Sequence, residues 1–347
     1  MIAWLEYLKM EKKDNIHVLN ILLMFISLVA AFIVPFELFL LAYAILGPLH
    51  YLTEINWLNK ENFYVRQKRD VWLLIILAFL ISIPALASLF LQVKNQSSFV
   101  IMLQFIKSQF GAIMIVILVI SIVFVYRPSM YRITVLALTT GLITCLFRET
   151  KMFYILFTIL LPTIIHVYLF TLLFVVYGTI KKANVFGKME VITLVVIPLL
   201  IALIPINSKN YILSVETLTT FKESKFGDVN NSVGEILGAA NKDLDEFIIS
   251  SAGVKIQIFI AFAYTYHYLN WFSKVSLIGW LKDTSLKNQV YLLVIWTFSL
   301  TLYYYDYRLG LTALTFLSML HVILEFPLNI LSIKGIIGFI TSKLRYN

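Results

Sequence analysis

The sequence predicts an all-α integral membrane protein, a polytopic bundle of about ten transmembrane helices. Three observations lead there. The 347-residue chain is 60% hydrophobic and only 14% charged, with a mean hydropathy of +0.88, whereas soluble domains carry about 45–50% apolar and about 25% charged residues. Its apolar runs are continuous and near the roughly 20 residues that a helix needs to cross a bilayer. None shows the roughly 10-residue alternation of a membrane β-barrel strand. A single cysteine, Cys145, excludes a disulfide framework and is expected to be an inert buried thiol. No low-complexity tract or long repeat divides the chain, so residues 1–347 read as one membrane domain.

Residues 1–16 come first. Trp4, Leu5, Leu8 and Met10 in this otherwise polar segment predict a short helix lying at the membrane surface. The apolar run that follows is expected to be retained rather than cleaved, because acids precede it and a second apolar run follows directly. Spans are expected at 17–34, 36–57, 71–92, 111–126, 131–147, 152–178, 190–206, 255–272, 288–305 and 309–331. Pro35 separates the first two. Pro84, Pro162 and Pro198 fall inside spans and predict kinks. A polar outer loop, 207–254, joins the seventh and eighth spans. Within it Val233, Ile236, Leu237, Ala240, Leu244, Phe247 and Ile248 recur at helical spacing, which predicts one amphipathic helix over 233–249 capping the outer face.

The net charge of +9 is a topology signal rather than a nucleic-acid footprint. Lys60, Arg66, Lys68, Arg69, Lys181 and Lys188 lie on segments that face the same side if the N-terminus is inside. That pattern follows the positive-inside rule. It places both termini in the cytoplasm, with a bacterial-type inner membrane as the expected location. Trp57, Trp72, Trp271, Trp280 and Trp296 fall near span ends, as an interfacial belt requires. The expected partners are the lipid bilayer and a hydrophobic small molecule.

Chemistry is expected where the membrane should exclude polar groups. The chain has no Gly-rich phosphate loop, GxSxG, paired-cysteine motif or HExxH. An ionisable side chain inside a span costs about 3 kcal/mol on insertion scales, so each one is a candidate for function. His50 stands in GPLHYLTE with Glu54 four residues on, and His321 in MLHVILEFP with Glu325 four residues on. Residues i and i+4 share a helix face, so each pair offers an imidazole and a carboxylate one turn apart. His267 stands in YTYHYLNWF. By helix rise, these three histidines fall in the inner half of the bilayer. Imidazoles with carboxylates suit iron, manganese or zinc. The expected site is therefore metal bound by His50, His267 and His321. Glu54 and Glu325 serve as ligands or as groups that hold the imidazoles, and His166 is a further candidate. Two histidines on facing helices would also suit a b-type haem. Tyr264 and Tyr268, flanking His267, are expected to line a substrate pocket.

GPLHYLTEINWL, TYHYLNWFSK and LHVILEFPLN resemble motifs of the Brp/Blh family of membrane β-carotene 15,15'-dioxygenases. The resemblance implies a helical membrane fold and non-haem Fe(II) held by histidines from several helices. It implies His50, His267 and His321 as ligands, with Glu54 where the family has an Asp. His166 or a carboxylate would complete the set, because Trp271 stands four residues after His267. The implied activity is oxygenation of a carotenoid, isoprenoid or lipid.

Two other functions fit the same residues. A transporter or permease would use the His/Glu cluster as a proton or ion relay. A non-catalytic membrane protein would use the histidines as structural contacts. The orientation is checked with reporter fusions. Green fluorescent protein at the C-terminus should fluoresce, and alkaline phosphatase inserted in 207–254 should be active. The reverse pattern would reject the topology.

Overall fold

The structure is a computed structural model that describes residues 2–90, 97–181, 184–240, 243–278 and 285–346. For residues 2–15, 275–278 and 345–346 it describes the backbone only. The described residues are helical throughout and contain no strand. Seven helices are long and apolar enough to cross a membrane: Ile16–Ile33, Pro35–Lys60, Lys68–Ala87, Met130–Phe147, Lys151–Lys181, Val185–Leu203 and Thr315–Leu344. An eighth is counted if Ser98–Ser108 and Phe110–Tyr126, bent by 59°, form one broken span.

The expected breaks occur for the expected reasons. The first span ends at Ile33, and the next helix starts at Pro35. Proline suits the first turn of a helix because its missing N–H is unneeded there. Ser97 caps the unexpected helix Ser98–Ser108 by accepting from the Val100 amide. Arg127 ends Phe110–Tyr126 in the left-handed region at φ 46°, and its guanidinium pairs with Asp70. Between two spans, Asn62, Phe63 and Tyr64 are all left-handed, and burial beside Glu61 pushes the Tyr64 phenol up to about 12.

The chain forms two compact units. The first comprises Met1–Leu46, Val167–Gln289 and Ser332–Asn347. Its axis is the helix Ser251–Ile278, which packs on Ile2–Ile33 and Pro35–Leu41. Residues 256–268 of that helix are buried apart from Phe259, which is half-buried. A helix enclosed by protein need not be apolar, since it can turn its polar groups inward. Gln257, Tyr264, Tyr266, His267 and Tyr268 therefore fit here and make the helix too polar to meet the test for a span. This is the eighth expected span. The ninth, Leu286–Tyr305, is likewise helical but too polar to meet that test, with Lys287, Asn288 and Gln289 at its start.

The loop 207–254 differs from expectation. Instead of one helix over 233–249, it holds Val215–Glu223, Phe226–Ile236 and Leu244–Ile248. Gly238, at φ +68°, ends the second helix after Leu237. Asp243 starts the third by accepting from the Asp245 and Glu246 amides. The buried face runs through Phe226, Asn230 and Gly234, and Ile236 and Leu237 are exposed.

The second unit comprises Gly47–His166 and Val290–Leu331. Here Val71–Ala87 packs on Ser98–Ser108, Phe110–Tyr126 and Tyr307–Ala313. Met130–Phe147 has no buried residue. It borders an apolar cavity of about 450 Å³ lined by Leu73, Val119, Val123, Ala137, Thr140 and Cys145, among others. Cys145 is thus exposed and not the buried thiol expected. It sits on a helix that turns no face to a protein core. The interfacial reading of residues 1–16 is replaced in part by a continuous helix, Ile2–Ile33. The side chains of Trp4, Leu5, Leu8 and Met10 lie outside the described residues, as does Trp280.

Gly253 tests the packing of the first unit. A Cβ there would strike the Phe247 carbonyl oxygen and stand 2.8 Å from that of Ile248. Backbone cannot step aside as a side chain can, and overpacking costs about 1–3 kcal/mol. Gly253→Ala should lower thermal stability in detergent by that amount. Gly141→Ala, with nothing within 4 Å, should leave it unchanged or slightly raised.

Candidate metal centre

Three helices bring polar groups together inside the second unit. His50 follows a π-helical turn, Ala42–Leu46, and Pro48. His166 lies in a longer π-helical stretch, Tyr154–Phe170, four residues after Pro162. His321 lies six residues before Pro327 on its helix. Proline removes a backbone donor, and π-turns widen the helix and often mark functional sites. His50 and His166 thus stand near helix irregularities, where side chains leave the directions of a regular spiral, while His321 lies on a continuous α-helix.

His50, His166 and His321 each offer a ring nitrogen, and these nitrogens lie within 4.8 Å of one another. His166 Nε2 is 3.1 Å from His321 Nε2. Two nitrogens bound at about 2.0–2.1 Å to one ion, with tetrahedral to octahedral angles, stand roughly 2.8–3.4 Å apart. The three rings are 1%, 1% and 3% exposed. Tyr51 stacks on His321 with ring centroids 4.1 Å apart and planes at 21°, which fixes that imidazole's plane.

Two carboxylates stand behind these rings. Glu54 Oε2 is 3.1 Å from His50 Nε2, the pairing expected from their spacing. Glu325 departs from expectation. Its Oε2 is 2.9 Å from Nδ1 of His166, on a different helix, and not paired with His321 one turn away. Glu54 and Glu325 are 3% and 5% exposed. Desolvating ionised groups is costly unless opposite charge compensates them. Glu54 and Glu325 stand beside imidazoles that could hold a metal ion, where a bound cation would offset the cost of burying them. Neither carboxylate belongs to the three-nitrogen group, which makes the ligand set three imidazoles.

His267 is not in that group. It stands in the first unit with Nδ1 2.8 Å from Thr171 Oγ1. His166, secondary in the sequence reading, takes its place. Its signal was weak because it falls near the middle of a 31-residue span, with no acid within a turn to mark it. Tyr264 and Tyr268 are 5% and 1% exposed and belong to an aromatic core. Tyr264 packs edge-on to Phe39 and tilted against Tyr43, and edge-on to Tyr268.

The first unit holds a second polar cluster that the sequence reading missed. Glu190, 1% exposed, meets His17 Nδ1 at 2.5 Å and accepts from Asn20 Nδ2 at 2.9 Å and Tyr266 Oη at 3.2 Å. Ser273 donates to Asn20 Oδ1. These bonds tie three helices together through both oxygens of the carboxylate. The available sequence signal was an acid at the first residue of a span, which reads as a span end.

Comparison with models of protein families, with curated proteins and with solved structures finds no match to this chain. The site therefore rests on its own geometry, which distinguishes His166 from His267. In metal-replete expression, His166→Ala should reduce bound metal at least tenfold, and His267→Ala should leave it near wild type. The opposite order, by elemental analysis of folded protein, would contradict the site.

Proposed function

We propose that this chain is a membrane-embedded, non-haem metal enzyme that oxygenates a hydrophobic substrate, a carotenoid, isoprenoid or lipid. One observation carries the reading: three buried imidazoles from three helices converge within 4.8 Å, with two carboxylates against their ring nitrogens. His50, His166 and His321 hold the metal. Fe(II) is the proposed ion, in keeping with the resemblance of the His50 and His321 motifs to membrane carotene dioxygenases. Manganese and zinc suit the same donors. Bound there, the metal would supply the redox chemistry that activates oxygen.

The chain's own residues do the rest. Glu54 and Glu325 compensate the cation's charge and hold imidazole edges. Tyr51 fixes the plane of His321. Burial keeps water from the site, which suits a reaction between two lipid-soluble reactants. An apolar cavity of about 450 Å³ in the same unit falls in the size range of small-molecule pockets. We also propose that the helices Ser251–Ile278 and Leu286–Tyr305 cross the bilayer with the others, giving about ten spans. Both termini would face the cytoplasm of a bacterial-type inner membrane.

The juxtaposed imidazoles and carboxylates also favour a second reading, a proton or ion relay in a transporter. Metal content separates the two. Protein purified without oxygen should hold close to one iron, manganese or zinc per chain. His50→Ala and His321→Ala should each lose it while remaining folded. Wild-type protein that stays metal-free after metal-replete expression would remove the enzyme reading and favour the relay.

A further inference from the structure

The apolar cavity of the second unit lies between two consecutive helices, Phe110–Tyr126 and Met130–Phe147. Ile133, Ala137, Thr140, Gly141 and Thr144 line it from the second of these, at the spacing of one helix face. Val135, Leu142 and Leu146 take the opposite face, and all three are exposed. Small residues in membrane helices usually let two backbones approach closely. Here they leave space instead, because a Cβ at Gly141 would meet nothing within 4 Å. Gly111 on the neighbouring helix shows the other case, since a Cβ there would stand 2.7 Å from Thr158 Oγ1. From Ile133 to Thr144 the groove runs about 17 Å at 1.5 Å rise per residue. A volume of about 450 Å³ over that length gives a bore of about 6 Å, whereas a helix with its side chains is about 10–12 Å across. The groove therefore admits a hydrocarbon chain and is too narrow for a helix of a second copy.

One end of the groove is basic. Residues 127–129 join the two helices, so Phe124 and Ile133, which both line the groove, lie at the same end. The Arg127 guanidinium stands over the Phe124 ring, 5.7 Å from its centroid, and pairs with Asp70. That pair brings Lys68 and Arg69 to this end, where they are exposed, as is Arg132 beside Ile133. At the other end Arg148 is paired with Glu149. The end with Lys68 and Arg69 is on the proposed cytoplasmic side, where basic clusters between membrane helices bind anionic headgroups. We propose that the groove binds an anionic phospholipid. One acyl chain lies between Phe110–Tyr126 and Met130–Phe147, and the phosphate headgroup meets Lys68, Arg69 and Arg132. This site does not depend on the metal-binding reading.

The test uses the full chain, stripped of lipid in detergent and titrated with palmitoyl-oleoyl phosphatidylglycerol or phosphatidylcholine. Native mass spectrometry counts the bound lipid. Wild type should hold phosphatidylglycerol in preference to phosphatidylcholine by about tenfold or more. Arg132→Gln should cut that preference about fivefold, the factor that one basic residue near an anionic surface contributes. Ala137→Phe fills the groove and should lose the lipid, whereas Leu142→Phe, on the opposite face, should keep it. Retention by Ala137→Phe, or equal binding of the two lipids by wild type, would overturn the proposal. So would a wild-type dimer that Ala137→Phe converts to monomer, which would make the groove a subunit contact. Cys145 is the chain's single cysteine and lines the groove, so it decides the question in wild type should a variant fail to fold. Phosphatidylglycerol should slow its reaction with N-ethylmaleimide several-fold more than phosphatidylcholine does. Equal rates in the two lipids would overturn the proposal.

Discussion

Five ionisable side chains buried in one apolar unit must satisfy one another, and that constraint organises the second unit. His50, Glu54, His166, His321 and Glu325 come from three helices and none is more than 5% exposed. Hydrocarbon offers no water to solvate such groups, and an unsatisfied one costs several kcal/mol. The polar groups therefore converge, with imidazole beside imidazole and carboxylate beside imidazole. Irregular backbone near His50 and His166 permits this. The π-turns before His50 and around His166 turn the side chains out of the regular spiral. Three of these side chains, His50, His166 and His321, could hold a metal ion.

The first unit follows the same rule by another route. Glu190 is buried, and His17, Asn20 and Tyr266 reach its two oxygens. That carboxylate is a structural knot joining Ile2–Ile33, Val185–Leu203 and Ser251–Ile278. The contrast separates structure from chemistry. The Glu190 carboxylate is held by its neighbours, whereas the imidazoles of His166 and His321, hydrogen-bonded at 3.1 Å, belong to a group of three that could hold a metal ion. Phe39, Tyr43, Phe226 and Tyr264 extend the first unit's core out to the loop helices. Tyr264 belongs to that packing.

Much of the architecture was legible because hydrophobic length is a strong signal. Seven expected spans have a helix that meets the test on its own, and an eighth, 111–126, coincides with one arm of a bent pair. The remaining two are helices, one enclosed by protein neighbours and one made more polar by Lys287, Asn288 and Gln289 at its start. The loop helix was misread because helical spacing persists through Gly238, whose left-handed backbone breaks the spiral without disturbing the pattern. For the site, i,i+4 spacing found His50 with Glu54 correctly. It paired Glu325 with the wrong histidine, since spacing says which face a side chain occupies and not which neighbour it meets. His166 carried no local acid, and His267 looked better placed among its tyrosines. Only the packing of helices distinguishes these two.

The central claim is that three imidazoles share one metal ion. X-ray absorption at the metal edge of the purified full-length protein tests this most directly. The account predicts nitrogen neighbours at about 2.0–2.2 Å with the multiple-scattering pattern of three imidazoles. A metal-free protein, or a metal whose shell lacks imidazole, would contradict it.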